Sequence, residues 1–374
     1  MEQGATERVE RVTTLELFFD LVFVFTITQL TTVLSGSPNA KGLLRVVLML
    51  TVIWWMYGGY AWLTNAVRAD TPARRFALLA GMGGYLALAL TIPRAFSGNG
   101  LEFGLAYLVV VGIHSALFTL GAGMSARALV RLSSSNLAAA AIIVAGGAAG
   151  GTAQYMLWAG AGLFEWLLPT LRRTEGGFAV SPSHFVERHG LVIIVAIGES
   201  VVAVGFGASH LPLDADLFAG ALAGLALSAC LWWTYFGSDA AQAEPALAGV
   251  QGARRSRVAL FAFGYWHLLM LLGIVGVAAA ERHATGHAFV ALSWARATIL
   301  AGGVALYCAG DALFRRELRL GRAGMRAAAA ILALAAIPVG AWLSPFAELV
   351  ALVALFGAVF AIEAGATPPA YAAA

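Results

Sequence analysis

Long apolar runs alternate with short polar breaks along almost the whole chain. A membrane-spanning helix needs about 20 mostly apolar residues. Twelve runs of roughly that length can be read, at 15–34, 43–66, 76–96, 103–121, 135–151, 153–170, 189–208, 214–238, 258–279, 288–310, 326–343 and 346–363. Gly150-Gly151-Thr152 makes a very short turn between the fifth and sixth. Ser344-Pro345 closes the eleventh, because proline restricts the residue before it. No stretch sustains the two-residue alternation of a barrel strand. The pattern predicts an all-α membrane protein of about twelve transmembrane helices. Ahead of the first run, Glu2, Glu7 and Glu10 stand beside Arg8 and Arg11. No small-residue cleavage site follows, so the first run is expected to be a retained helix and not a leader.

Lysine and arginine then choose a side. With twelve spans, the two termini and the even-numbered loops lie on one face. That face carries 18 of the basic residues and the other face carries Lys41, Arg45, Arg94 and Arg282, with Arg296 inside the tenth span. Basic loops stay cytoplasmic, so both termini are expected in the cytoplasm and the protein in a bacterial inner membrane.

Two stretches repeat. Trp54-Trp55-Met56-Tyr57 in the second span matches Trp232-Trp233-Thr234-Tyr235 in the eighth. Arg74-Arg75 followed by Gly84-Tyr85 matches Arg254-Arg255 followed by Gly264-Tyr265. The first and seventh spans align with Glu16 on Glu187, Thr28 on Glu199 and Gln29 on Ser200. This suggests a duplication into two parallel six-helix halves, 1–170 and 189–374, joined by a cytoplasmic linker at 171–188, as in one class of transporters.

Composition removes other classes. Apolar residues make up 60% and charged residues 11%, with 23 basic against 20 acidic side chains. That excludes a soluble enzyme and gives no surface for a nucleic acid. Cys230 and Cys308 both lie in apolar runs, so no disulfide framework or thiolate metal site is expected. There is no phosphate loop, nucleophile elbow or His-Glu-x-x-His. No metal or cofactor is implied, and nothing sets the oligomeric state.

The chemistry then rests on polar groups inside the spans, each costing about 2.5–3.5 kcal/mol at the bilayer centre on insertion scales. Glu16 and Asp20, four residues apart, share a helix face, with Asp20 about 6 Å deeper. Both also suit a structural role at the positive end of a helix. Glu199 lies near mid-membrane with no local counter-charge, and His189 shares its face. A carboxyl there is suited to carrying a proton; its structural reading is a hydrogen-bonded, protonated side chain. Arg296 is the one basic residue well inside a span and needs an acceptor, for which Glu199 is a candidate; whether the two pair is left open by the sequence. His267 and His114 are candidates for a proton relay, or hydrogen-bonded filler. The Trp54, Trp55, Tyr57 and Trp232, Trp233, Tyr235 copies fit an aromatic cavity lining, or helix packing. Glu165, Asp239, Asp311 and Glu363 fall near span ends and read as interfacial.

Two segments carry a resemblance. Glu16-Leu-Phe-Phe-Asp20-Leu-Val-Phe-Val24, followed by Thr28-Gln29-Leu30, resembles the opening motif of the low temperature requirement A (LtrA) family. His184 through Glu187-Arg188-His189-Gly190-Leu191 to Gly198-Glu199-Ser200-Val201-Val202 resembles that family's second motif. The resemblance implies a bacterial multi-span membrane protein and supplies no substrate. It points to Glu16, Asp20, Gln29, Glu187, Arg188, His189, Glu199 and Ser200. The first motif is also similar to the pore-lining helix of a potassium-channel family, although Phe18-Phe19-Asp20 lacks that family's serine. The sequence therefore leads to a proton-coupled secondary transporter of a small solute or ion, with Glu199 as carrier and Asp20 assisting. The alternative is a cation channel lined by the first and seventh helices, and a third class is an intramembrane enzyme or sensor. No enzymatic activity is expected.

Overall fold

The structure, a computed structural model, describes residues 11–66, 70–121, 126–171, 180–209 and 211–365. Among them it is helical, with no strand. The helices are α1 (Thr14–Gly36), α2 (Ala40–Ala66), α3 (Pro72–Thr91), α4 (Gly100–Gly121), α5 (Ala126–Ala149), α6 (Gly151–Leu171), α7 (Pro182–Ala208), α8 (Ala215–Phe236), α9 (Asp239–Ala248), α10 (Gly252–Ala259), α11 (His267–Ala284), α12 (Trp294–Leu318), α13 (Ala323–Ala333), α14 (Ile337–Trp342) and α15 (Pro345–Gly365). A π-helical stretch, Leu260–Trp266, joins α10 to α11 without a break. Among the described residues, ten helical runs are long and apolar enough to cross a membrane.

Local chemistry sets the ends. Thr71 accepts from Arg74 N ahead of Pro72 at the start of α3. Asp214 accepts from Leu217 N at 2.9 Å to cap α8. Each side-chain acceptor satisfies an amide that the first helical turn leaves open. Gly150 and Gly151 both adopt positive φ, 65° and 55°, which lets α5 turn directly into α6. Pro338 follows the short 3₁₀ turn that separates α13 from α14, where a residue without an N–H ends a ladder.

Two boundaries differ from the apolar pattern. The seventh helix starts at Pro182, not near 189, so Glu187 and Arg188 belong to a helix and not to a loop. Arg188 is fully buried and does not count as a loop charge. The tenth long helix starts at Trp294, not near 288, which puts Arg296 in its first turn. Hydropathy misplaces both ends because it cannot see that a charge is paired, or that an apolar loop is not helical.

The described residues fall into two compact units. The first contains 11–26, 51–193 and 240–264. Its core is aromatic: Phe19 and Phe23 of α1 meet Tyr57 and Tyr60 of α2 and Tyr85 of α3, with ring centroids 4.3–6.2 Å apart. Trp158 of α6 donates to Ile143 O of α5 at 2.9 Å and stacks on Phe103 of α4. The second unit contains 27–50, 194–239 and 265–365. Its centre is the α11–α12 pair, where Gly273 and Gly303 face each other. A Cβ at Gly303 would stand 2.8 Å from Gly273 O and 2.9 Å from Val277 N. Backbone atoms cannot move aside, so Gly303→Ala is expected to cost about 1–3 kcal/mol. The measurement is the melting temperature of the purified protein in detergent; a wild-type melt would show that the helices separate freely.

The second unit also holds a paired ionic group. Arg315 binds Asp239 at 2.5 and 2.8 Å and Glu363 at 3.1 Å, while Arg326 reaches Glu363 at 2.9 Å and Asp311 at 3.3 Å. Asp239 and Asp311 are 1% and 0% exposed, so both are enclosed by protein.

Candidate functional site

The first unit gathers the first-motif carboxylates around Arg188. One turn of α1 separates Glu16 from Asp20, and α7 lays Arg188 across both. Arg188 Nη1 reaches Glu16 Oε1 at 3.2 Å and Nη2 reaches Asp20 Oδ1 at 3.3 Å. Nη1 also donates to Thr64 Oγ1, and Nε donates to Tyr57 OH at 3.4 Å. The guanidinium lies 5.5 Å from the ring centroids of both Phe19 and Tyr57, a cation–π arrangement on two faces. Tyr57 OH donates to Asp20 Oδ1 at 2.8 Å. Glu16 Oε2 accepts from Thr13 N and Thr13 Oγ1 at 2.9 and 2.8 Å. Thus both motifs are brought together here.

His184 completes the group. Ser181 N donates to Asn65 Oδ1 at 3.1 Å, which turns the Asn65 amide nitrogen towards His184 Nδ1 at 3.3 Å. With Nδ1 accepting, the ring carries its hydrogen on Nε2, which donates to Glu16 Oε1 at 2.9 Å. Glu16 and Asp20 share the Arg188 guanidinium. Asp20 Oδ2 is buried with no hydrogen-bond partner among the described residues. Glu187, half-buried, accepts from Val12 N at 3.1 Å. His189 binds Phe185 O through Nδ1 at 2.8 Å and is packed by Trp54, Tyr57, Phe185 and Phe263. Glu165 is 2% exposed and accepts from Tyr107 at 2.8 Å, so it too is enclosed by protein.

The second unit holds the later motif residues. Glu199 is 3% exposed, and its Oε2 accepts from Thr28 Oγ1 at 2.5 Å. No cation lies within ion-pair distance of it among the described residues. Arg282 instead donates to Thr32 at 3.0 Å and covers the Phe206 ring at 5.2 Å. Among the described residues Glu199 and Arg296 form no ion pair, and Arg296 sits at the start of α12 and not deep within it. Gln29 is half-buried on α1, and Ser200 is buried with an unpartnered hydroxyl. His267 is buried, 3.1 Å from Tyr235 OH.

The two aromatic copies part company. Trp54 is buried and donates to Gly264 O at 2.8 Å, a carbonyl available because the π-helical stretch widens the ladder there. Trp55 donates to Asn136 Oδ1 at 3.2 Å. Trp232 and Trp233 are 36% and 58% exposed and face outward, whereas Tyr235 of the same copy is buried. Sequence reasoning missed Thr64 and Asn65 as partners, and it placed Glu281 beyond the ninth span. His184 was visible only as part of the second motif. No group of three or more potential metal ligands forms among the described residues.

The fold and these buried clusters define a multi-span helical membrane protein whose polar chemistry is carried by side chains between helices. The chain belongs to the bacterial low temperature requirement A (LtrA) family, whose sequence profile covers residues 11–361. It is also similar to an uncharacterized protein of Rhizobium meliloti (strain 1021), 26% identical over 315 residues, which cover 80% of this chain and 76% of the relative.

Proposed function

We propose that this protein is a proton-coupled secondary transporter of a small solute or ion in the bacterial cytoplasmic membrane, with no enzymatic activity. One observation carries the reading: Glu199 is held by a neutral hydroxyl, Thr28, and by no ion pair among the described residues. A carboxyl with a hydroxyl partner keeps a hydrogen bond whether or not it bears a proton, because the hydroxyl can donate or accept. The Glu16–Asp20–Arg188 group differs, since its guanidinium fixes charge in place.

Counting α5 and α6 with the ten apolar runs gives twelve spans, which returns both termini to one side; the lysine and arginine distribution makes that side cytoplasmic. Thr28 and Glu199 are equivalent positions in the proposed repeat, and they hydrogen-bond to each other. Contact between equivalent positions is what a pseudo-twofold axis between the first and seventh helices would give. This supports the duplication into parallel halves.

The test is uptake into liposomes containing the purified protein, under imposed pH gradients and with a panel of small solutes. Saturable uptake driven by the pH gradient is expected. Currents that reverse at one ion's equilibrium potential, with no co-substrate, would replace the transporter by a channel.

A further inference from the structure

The end of α11 carries a carboxyl that the proposed coupling does not use. Glu281 is 1% exposed, yet neither of its oxygens has a hydrogen-bond partner among the described residues. Ser200 of α7 lies beside it, and its hydroxyl is also buried and unpartnered. Gly224 of α8 supplies the third wall. A Cβ there would stand 3.3 Å from Glu281 Oε1 and 3.5 Å from Val204 Cγ2. Three helices of the second unit therefore enclose one acidic side chain and one hydroxyl, and the missing side chain at 224 leaves the carboxyl its room.

Among the described residues no counter-charge balances it. The charged groups and histidines on the elements around it are His184, Glu187, Arg188, His189 and Glu199 on α7, Asp216 on α8, His267, Arg282 and His283 on α11, and Arg296, Asp311, Arg315, Arg316 and Glu317 on α12. None of them forms an ion pair with Glu281 among the described residues. An isolated ionised carboxylate in such surroundings is strongly unfavourable. A metal cation is a poor occupant, since hard cations take about six or more oxygens and only a carboxyl and one hydroxyl converge. The backbone carbonyls of these helices are spent on their own ladders. A protonated carboxyl fits, because it brings its own donor to Ser200.

We infer that Glu281, with Ser200, is a second proton-binding site, separate from Glu199. Its occupancy stands by itself; only its part in coupling rests on the transport reading. The experiment is infrared difference spectroscopy between acid and alkaline pH on the full-length protein in liposomes. Wild type is expected to show a protonated-carboxyl band that disappears at alkaline pH, is lost in Glu281→Gln and is shifted in Ser200→Ala. A well-folded Glu281→Gln protein whose spectrum matches wild type would overturn the site. If Glu281→Gln does not fold, Ser200→Ala decides: an unshifted band overturns the inference. The band without any pH-driven uptake would remove the transport reading and leave the proton site standing. Uptake that depends on Glu199, with no Glu281 band, would do the reverse.

Discussion

Arg188→Leu is expected to lose most of the folded protein. The substitution leaves Glu16 and Asp20, 3% and 1% exposed, without the one cation they share. Breaking a buried ion pair from one side costs about 3–5 kcal/mol, because the remaining charge is left buried and unpaired. Here two carboxylates are stranded, and Tyr57 and Thr64 also lose a donor. Lysine is expected to recover only part of the loss, since a compact ammonium cannot reach four oxygens with a planar fork. The triple change Arg188→Leu, Glu16→Gln and Asp20→Asn removes the stranded charges and is expected to regain folding. Yield and melting temperature of the detergent-purified proteins measure this series. A single leucine variant that melts with wild type would show that the cluster does not hold the helices together.

Glu199→Gln is expected to fold normally and to lose pH-driven uptake down to the level of empty liposomes. Glutamine has the same length and keeps an oxygen for the Thr28 hydroxyl, so packing is preserved. It cannot bind and release a proton in the way a carboxyl does. Stability and transport should therefore separate in this variant, whereas they fall together in Arg188→Leu. Uptake that remained coupled to the pH gradient would remove Glu199 as the carrier.

The contrast between these variants marks how far the sequence could be read. The helices were legible because apolar length is a direct consequence of the bilayer. Asp20 and Glu199 were legible because a carboxyl in an apolar run has no inexpensive explanation. Arg188 was assigned to a motif but placed near a loop, since a hydropathy pattern treats every arginine as wet. Its partners Tyr57, Thr64 and Asp20 lie 124 to 168 residues away, so only the fold reveals that it is satisfied. Glu281 was hidden for the opposite reason: Arg282 and His283 follow it and make the helix end look like a loop. Arg296 looked deep because the apolar segment before α12 resembles a helix. The recurring Trp-Trp-x-Tyr pattern does not by itself fix which way its side chains face.

The π-helical stretch at Leu260–Trp266 bears on how the gene can vary. A π turn holds one residue more than an α turn. Deleting one residue from it would restore regular α winding and leave the helical segments on either side in phase, whereas the same deletion inside a regular α-helix would turn everything downstream by about 100°. Descendant sequences can thus shorten this segment by one residue more readily than they can shorten the regular helices on either side of it.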